Sequence, residues 1–425
     1  MIAWLLISFF VLLFLGVPIA MSLGLSAIGG ILFLGGGSTV TIAQRMFEGM
    51  NSFALLAIPL YTFAGFTMSK GGISKRLMDF CYSIVGHIYG GLAHVNVLSS
   101  MIFAGISGSA VADTAGVSGM FMPEMVRKGY SKNFTVAVTA ISSTIGIIIP
   151  PSIPMVVIAG ICGISTGKLF LGGIIPGVLC GLAQMIVSYF LAKKEGVPKE
   201  PGHFTIGPVL HGLWESWPAL LMPIIIVGTI TMGIVSPTEA GVIAVVYGLF
   251  AGGIIYRELK WEDIKFAFAE TVRTSGRIFI VIGAAKLYTV MLTTAGFDKW
   301  VAKTMLGFST NPTVILIMIL LIFFIVTMFM ESIATLTLFM PILYPIAIGV
   351  GIDPIVLSVL ITVVIGVGLV TPPVGMCIYV ACDLMDVTVG EVFPTLVPFI
   401  AATFVCIALM VAFPQLILLP TYLMA

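Results

Sequence analysis

The chain has 425 residues, enough for two or three soluble domains, yet 59% of it is hydrophobic and only 9% is charged. Soluble domains carry roughly 25% charged residues, so 19 basic and 18 acidic side chains cannot cover a water-facing surface of this size. A net charge of +1, with no basic cluster denser than Lys193-Lys194, excludes nucleic-acid binding.

What remains is a polytopic all-α membrane protein in a lipid bilayer, with room for about a dozen crossing or half-crossing helices at ~20 apolar residues each. Taken in chain order, apolar runs predict helices at 2–36, 52–69, 76–92, 94–105, 117–127, 134–149, 152–162 and 169–192. The first run opens on Met1-Ile2-Ala3-Trp4 without a basic n-region, so it reads as a membrane helix and not a cleaved signal. It is too long for one upright crossing and must tilt, or break near Gly16-Val17-Pro18. Residues 193–203 are hydrophilic and read as a linker between two halves. Helices follow at 217–234, 238–256, 277–293, 312–329, 337–350, 354–370, 374–384 and 392–418. A charged stretch from Tyr256 to Lys265, amphipathic as far as Arg273, reads as an interfacial helix. Lys193, Lys194 and Lys199, with Arg257, Lys260 and Lys265, mark the cytoplasmic side; no Lys or Arg follows Lys303. Cys81, Cys162, Cys180, Cys377, Cys382 and Cys406 lie in apolar stretches without a C-x-x-C pair, as small core residues do.

The sequence repeats itself. Ile145–Pro151 (IGIIIPP) matches Val367–Pro373 (VGLVTPP), the two Pro-Pro pairs standing 222 residues apart, 150 against 372. In nearly the same register Gly129 falls on Gly351, and Ile164–Phe170 falls on Val387–Phe393. Gly72–Lys75 also resembles Gly296–Lys299, and Pro123 pairs with Pro341. Each half has room for about five full crossings and one re-entrant piece. An odd count inverts the second half relative to the first, and inverted repeats with broken helices are a secondary-transporter architecture.

Each half carries two features that a plain helix bundle does not need. The first is a Pro-Pro pair inside an apolar helix. Proline lacks an N–H and clashes with the carbonyl four residues earlier. Pro150 and Pro151 are therefore expected to free the carbonyls of Gly146 and Ile147, and Pro372 and Pro373 those of Gly368 and Leu369. Unpaired carbonyls at membrane depth must line a cavity or coordinate something, and a small hard cation such as Na+ suits several oxygen ligands. The second feature is a small-residue, hydroxyl-rich interruption, Gly105–Gly119 in the first half and Glu331–Thr337 in the second. The flanking segments 94–105 and 117–127, and 312–329 and 337–350, read as arms of re-entrant hairpins. Their tips offer hydroxyls, carbonyls and helix N-termini suited to an anionic group.

Asp113 and Glu331 sit at or near these tips, and intramembrane acids are functional candidates. Glu239, in Ser236-Pro237-Thr238-Glu239, reads as a structural capping box. Asp383 and Asp386 follow the second break as caps or water-facing groups, Lys286 and Arg277 pair with acids or headgroups, and His87 and His94 are interfacial. Gly105-Ile106-Ser107-Gly108 fits the G-x-S-G string of intramembrane serine proteases, with His94 as the base on offer, but the string recurs at Gly116–Gly119. There is no H-E-x-x-H and no P-loop.

GISGSAVADT at 105–114, IPPS at 149–152, SPTEAG at 236–241, TPPVG at 371–375 and GVPIA at 16–20 together resemble the large membrane subunit of tripartite ATP-independent periplasmic (TRAP) transporters. The resemblance covers almost the whole chain. It implies an elevator-type ion transporter in the bacterial inner membrane, in which a transport domain bearing both hairpins moves against a scaffold. It further implies a small four-helix membrane subunit, a periplasmic substrate-binding protein, Na+ coupling through two or more ions, and an organic acid substrate such as a C4-dicarboxylate or sialic acid. Because fused versions contain both membrane subunits, a separate small partner is expected here. The domain organisation that follows is scaffold at 1–90, transport domain at 91–192, linker at 193–216, scaffold at 217–310 and transport domain at 311–425. One Na+ is expected between Gly105, Ser107 and Ser109 and the backbone of Gly146–Ile149, and another between Glu331–Ser332 and Gly368–Thr371. Ser107, Ser109, Asp113, Ser152 and Thr371 are the candidate substrate contacts. The competing readings are an intramembrane protease using Ser107 and a passive channel-like subunit.

Overall fold

The computed structural model describes residues 1–34, 39–197 and 205–424, and every regular element among them is helical. Residues 35–36 of the first apolar run and 198–204 of the expected linker lie outside the described residues. The first half comprises α1 (Ile2–Phe14), α2 (Ile19–Leu34), α3 (Val40–Met50), α4 (Ala57–Lys70), α5 (Ile73–Val85), α6 (Gly91–Ser107), α7 (Ala110–Arg127), α8 (Lys132–Ser143), α9 (Ile153–Cys162) and α10 (Thr166–Glu195). The second comprises α11 (Ile206–Thr231), α12 (Pro237–Phe250), α13 (Trp261–Thr294), α14 (Phe297–Phe308), α15 (Pro312–Thr327), α16 (Ser332–Gly349), α17 (Pro354–Gly368), α18 (Met376–Met385), α19 (Val389–Ala412) and the short α20 (Gln415–Leu418). Among the described residues seven helical segments, 53–70, α10, α11, 237–255, α13, α16 and α19, are long and apolar enough to cross a membrane by length and composition.

The order of elements repeats. Each half presents a hairpin (α6–α7, α15–α16), then a helix broken at a Pro-Pro pair (α8–α9, α17–α18), then a long apolar helix (α10, α19). Both Pro-Pro peptide bonds are cis. The halves interlock: α7 of the first packs on α18 of the second, α16 packs on α9, and α10 runs against α19. This crossed pattern is consistent with a two-fold relation between the halves.

Several sequence expectations change. The first apolar run does break, at Gly16 in the left-handed region (φ 81°) ahead of Pro18. The amphipathic segment to Arg273 is not a separate interfacial helix; it is the opening of the 34-residue α13. Its charged side chains lie on the helix surface, Arg273 Nη1 donating to Glu270 Oε1 at 2.6 Å one turn away. The hairpin tips are also much shorter than expected. Only Gly108 and Ser109 separate α6 from α7, whose arms span 17 and 18 residues. The hydroxyls that suggested a loop serve the helix instead: Ser109 Oγ caps it by accepting from Ala112 N, and Thr114 Oγ1 donates to the Ala110 carbonyl at 2.8 Å. In the second half the tip is Met328–Glu331, and Ser332–Thr337 are helical. The expected capping box is present, with Ser236 N donating to Glu239 Oε2 at 2.7 Å and Glu239 N to Ser236 Oγ at 3.3 Å.

Candidate functional site: two hairpin tips against two helix breaks

The first tip is tied to the first break by backbone. Gly108 ends α6 with φ 68°, and its carbonyl accepts from Ile153 N at 3.2 Å, just past Pro151. A Cβ on Gly108 would stand 2.7 Å from the Pro151 carbonyl oxygen, so both the left-handed backbone and the close approach require glycine. Gly105, one turn earlier, faces the Pro150 carbonyl on one side and Pro223 of α11 on the other, where a Cβ would lie 2.5 Å from Cγ. Gly65 of α4 covers Ser107 in the same way, its missing Cβ 3.3 Å from the Ser107 Cα.

Inside this contact Ser107 Oγ donates to Asp113 Oδ1 and accepts from Ser109 N at 3.2 Å. Asp113 is 1% exposed and sits in the first turn of α7, where the helix N-terminus favours a carboxylate. Its Oδ2 has no hydrogen-bond partner among the described residues. That oxygen points at the kink in the short 3-10 turn 144–147: a Cβ on Gly146 would stand 2.0 Å from Oδ2 and 3.6 Å from the Ser109 carbonyl carbon. The structure thus gathers Ser107, Ser109, Asp113 and Gly146 around one point, with Ser152 bonded to the next residue, Ile147, while Gly105 faces Pro223 and the Pro150 carbonyl instead.

The expectation that Pro150 and Pro151 leave two free carbonyls holds only in part. Ser152 Oγ reaches back to the Ile147 carbonyl at 2.5 Å, taking the bond that the prolines cannot make. No donor reaches the Gly146 carbonyl among the described residues. Ser152 is fully buried and N-caps α9, which makes it part of the break's own scaffolding. The Ile149 side chain lies against Gly177 of α10, where a Cβ would meet its Cγ1 at 2.2 Å, so only its backbone is left for a ligand.

The second tip repeats the tie. The carbonyl of Met328, which ends α15, accepts from Val374 N at 3.0 Å, one residue past Pro373. Gly368 packs on this tip; a Cβ there would stand 2.7 Å from Thr327 Cβ and 3.3 Å from the Phe324 carbonyl. Here the expected free carbonyls are both occupied. Gly368 O accepts from Thr371 N at 3.1 Å and Leu369 O from Cys377 N at 2.9 Å, because the chain after the prolines turns back under the helix end. Glu331 N-caps α16, its Oε2 accepting from Ile333 N (2.8 Å) and Ala334 N (3.3 Å) and its Oε1 from Ser332 Oγ (2.7 Å). The buried Thr371 donates to the Val367 carbonyl at 2.7 Å.

The two clusters converge. Gly366 of α17 packs on Thr144 beside the first break, where a Cβ on the glycine would stand 3.4 Å from Thr144 Cβ. Cys377, at the start of α18, lies against Thr114 and within electrostatic reach of both Asp113 and Glu331. Sequence reading missed Thr327, Met328, Val374 and Cys377; an apolar run carries no signal of a tip contact. Among the described residues no three His, Cys, Asp or Glu side chains gather as a metal-binding group. Ser107 is paired with a carboxylate, whereas His94 Nε2 is 3.2 Å from the Tyr89 carbonyl at the opposite end of α6, so the two do not form a nucleophile–base pair.

Residues 6–416 match the profile of the family described as "Tripartite ATP-independent periplasmic transporter, DctM component". The chain is 35% identical over 408 residues to the sialic acid TRAP transporter large permease protein SiaM of Vibrio cholerae, covering 96% of this chain and 95% of that one. It is 35% identical over 403 residues to a C4-dicarboxylate TRAP transporter large permease protein of Pseudomonas aeruginosa, covering 95% and 94%. It is 37% identical over 393 residues to the isethionate TRAP transporter permease protein DctMQ of Oleidesulfovibrio alaskensis, covering 92% of this chain but spanning 62% of that relative's length. Among solved structures, the YdaH transporter of Alcanivorax borkumensis is similar in fold, with a TM-score of 0.59 at 13% identity, covering 89% of this chain and 88% of that one.

Proposed function

The chain belongs to the DctM component family of tripartite ATP-independent periplasmic transporters, and from that premise we propose that it is the Na+-coupled permease of an organic acid importer in a bacterial inner membrane. The observation that carries the ionic part is the Oδ2 of Asp113, buried, without a hydrogen-bond partner among the described residues, and aimed at Gly146. A buried charged oxygen lacking a donor is costly unless a cation completes it. Ser107, Ser109 and the Gly146 carbonyl supply the neutral oxygens that a small hard cation takes alongside one carboxylate. Asp113 therefore serves the ion and not the acid, since a carboxylate repels an anion and this one is out of reach. A second ion takes the remaining lone pair of the Gly368 carbonyl, whose other one accepts from Thr371 N, beside the tip at Met328–Ser332.

The acid binds where the two clusters converge, between the α6–α7 and α15–α16 tips, because the N-termini of α7 and α16 are already met by Asp113 and Glu331. Sialic acid, a C4-dicarboxylate and isethionate, the cargo named for the relatives, share an anionic head, which cations bound at the two breaks would neutralise there. Hairpins bonded to their own helix breaks support moving as units, and the thin glycine contacts Gly65–Ser107 and Gly105–Pro223 are where they slide against a scaffold in an elevator cycle. A small four-helix membrane subunit and a periplasmic substrate-binding protein complete the system. The test is uptake of each labelled acid into proteoliposomes with both partners present. Replacing Na+ by K+ outside should abolish uptake of the true substrate; undiminished uptake contradicts the proposal.

A further inference from the structure

A second polar cluster lies deeper along the first hairpin, and neither ion nor substrate binding uses it. Asn96 of α6 is fully buried and spends both ends of its amide: Nδ2 donates to Thr139 Oγ1 at 2.7 Å, and Oδ1 accepts from Ser142 Oγ at 3.0 Å, both on α8. Ser100 Oγ, one turn further along α6, donates to Ser142 Oγ at 3.0 Å. The pairs advance together along the two helices: 96 with 139, 100 with 142, then Gly105 beside the Pro150 carbonyl and Gly108 bonded to Ile153. Helices α6 and α8 therefore run parallel in one continuous register, from the Asn96 cluster to the ion site.

Two apolar helices side by side in a bilayer have little to set their axial register, because no hydrophobic force acts between them. A slip of one turn is about 5.4 Å, which would carry Ser107 and Asp113 off Gly146 altogether. The second half lacks the device: α15 is wholly apolar from Val314 to Val326, and Ser358 and Thr362 of α17 bond to their own helix. We infer that Asn96 is a positioning residue, fixing α6 on α8 so that Ser107 and Asp113 meet Gly146 in the geometry that binds the first Na+.

The inference rests on the Na+ reading above, and the test separates the two. In Asn96→Leu the stranded hydroxyls fall back on bonds they already make or border, Thr139 Oγ1 to the Thr135 carbonyl at 2.8 Å and Ser142 Oγ to the Thr139 carbonyl at 3.2 Å, so the fold is retained. Uptake is titrated with Na+ at saturating acid and with acid at saturating Na+. The Na+ half-saturation should rise about tenfold, while the maximal rate and the acid KM at saturating Na+ stay within about twofold of wild type. Ser142→Ala, which removes one of the two amide bonds, should give an intermediate rise of about threefold and keeps the test alive if the leucine variant fails to reach the membrane. A Na+ half-saturation unchanged in both variants overturns the inference, as does a fall in rate and thermal stability with no change in Na+ dependence. Wild-type uptake indifferent to Na+ overturns the Na+ reading and this inference together.

Discussion

Gly146→Ala perturbs the candidate ion site by a single methyl group. The residue has ordinary negative φ, so alanine meets no backbone penalty; the obstacle is the carboxylate of Asp113, whose Oδ2 would lie 2.0 Å from the new Cβ. Normal contact needs the carboxylate to retreat by roughly 1 Å or more. It cannot do so while bonded to Ser107. Losing a hydrogen bond to a charged group costs about 1.5–3 kcal/mol, and overpacking a close-fitted site costs a further ~1–3 kcal/mol. Since each ~1.4 kcal/mol is a tenfold change in affinity, the Na+ half-saturation of uptake should rise by at least about tenfold. Gly116→Ala and Gly119→Ala are the controls, because both glycines lie on α7 with nothing within 4 Å of a Cβ. They should leave Na+ dependence unchanged and stabilise the helix by ~0.5–1 kcal/mol. The assay is Na+ titration of uptake alongside a thermal melt. Wild-type Na+ half-saturation in Gly146→Ala would refute the assignment of Asp113 to an ion at that break.

Gly368→Ala places a Cβ 2.7 Å from Thr327 Cβ, and because Met328 is bonded to Val374 the tip cannot simply move aside; uptake should fall at least about tenfold, at a cost of ~1–3 kcal/mol, with reduced cooperativity for Na+. Cysteines placed at 105 and 223 should cross-link α6 to α11 once the helices part by roughly 1 Å, because a residue-105 Cβ would lie 2.8 Å from Pro223 Cβ and a disulfide needs about 3.5–4.5 Å. Oxidation should arrest uptake and reductant restore it, whereas full uptake through a verified cross-link would refute sliding at this contact.

The breaks and hairpins were readable because proline acts on the backbone wherever it sits, and the Pro-Pro pairs recur at matched positions. The extent of the tips was not, since Ser109, Thr114 and Thr337 look like loop residues but bond to their own helices. The fate of the freed carbonyls was equally hidden. Whether Ser152 Oγ, Thr371 N or Cys377 N reaches back depends on how the chain turns after each proline pair. Glu331 reads from the sequence as a candidate ligand, and that its carboxylate also caps α16 is something only its three donors reveal. Helices α3 and α14 escaped notice because Arg45, Glu48, Asp298, Lys299 and Lys303 break up any apolar run. Asn96 stands in the sequence as one polar residue in an apolar segment, and its partners lie in α8, more than forty positions away.

The central claim is that the two hairpin–break pairs couple Na+ entry to acid entry. It is tested most directly by counting both in one vesicle population: 22Na+ and labelled acid, taken up by the assembled transporter against an acid gradient. The account predicts that the two enter in a fixed ratio of at least two ions per acid, and that Gly146→Ala loses the ratio. Acid accumulating with no accompanying 22Na+, or merely equilibrating under an imposed Na+ gradient, would contradict it.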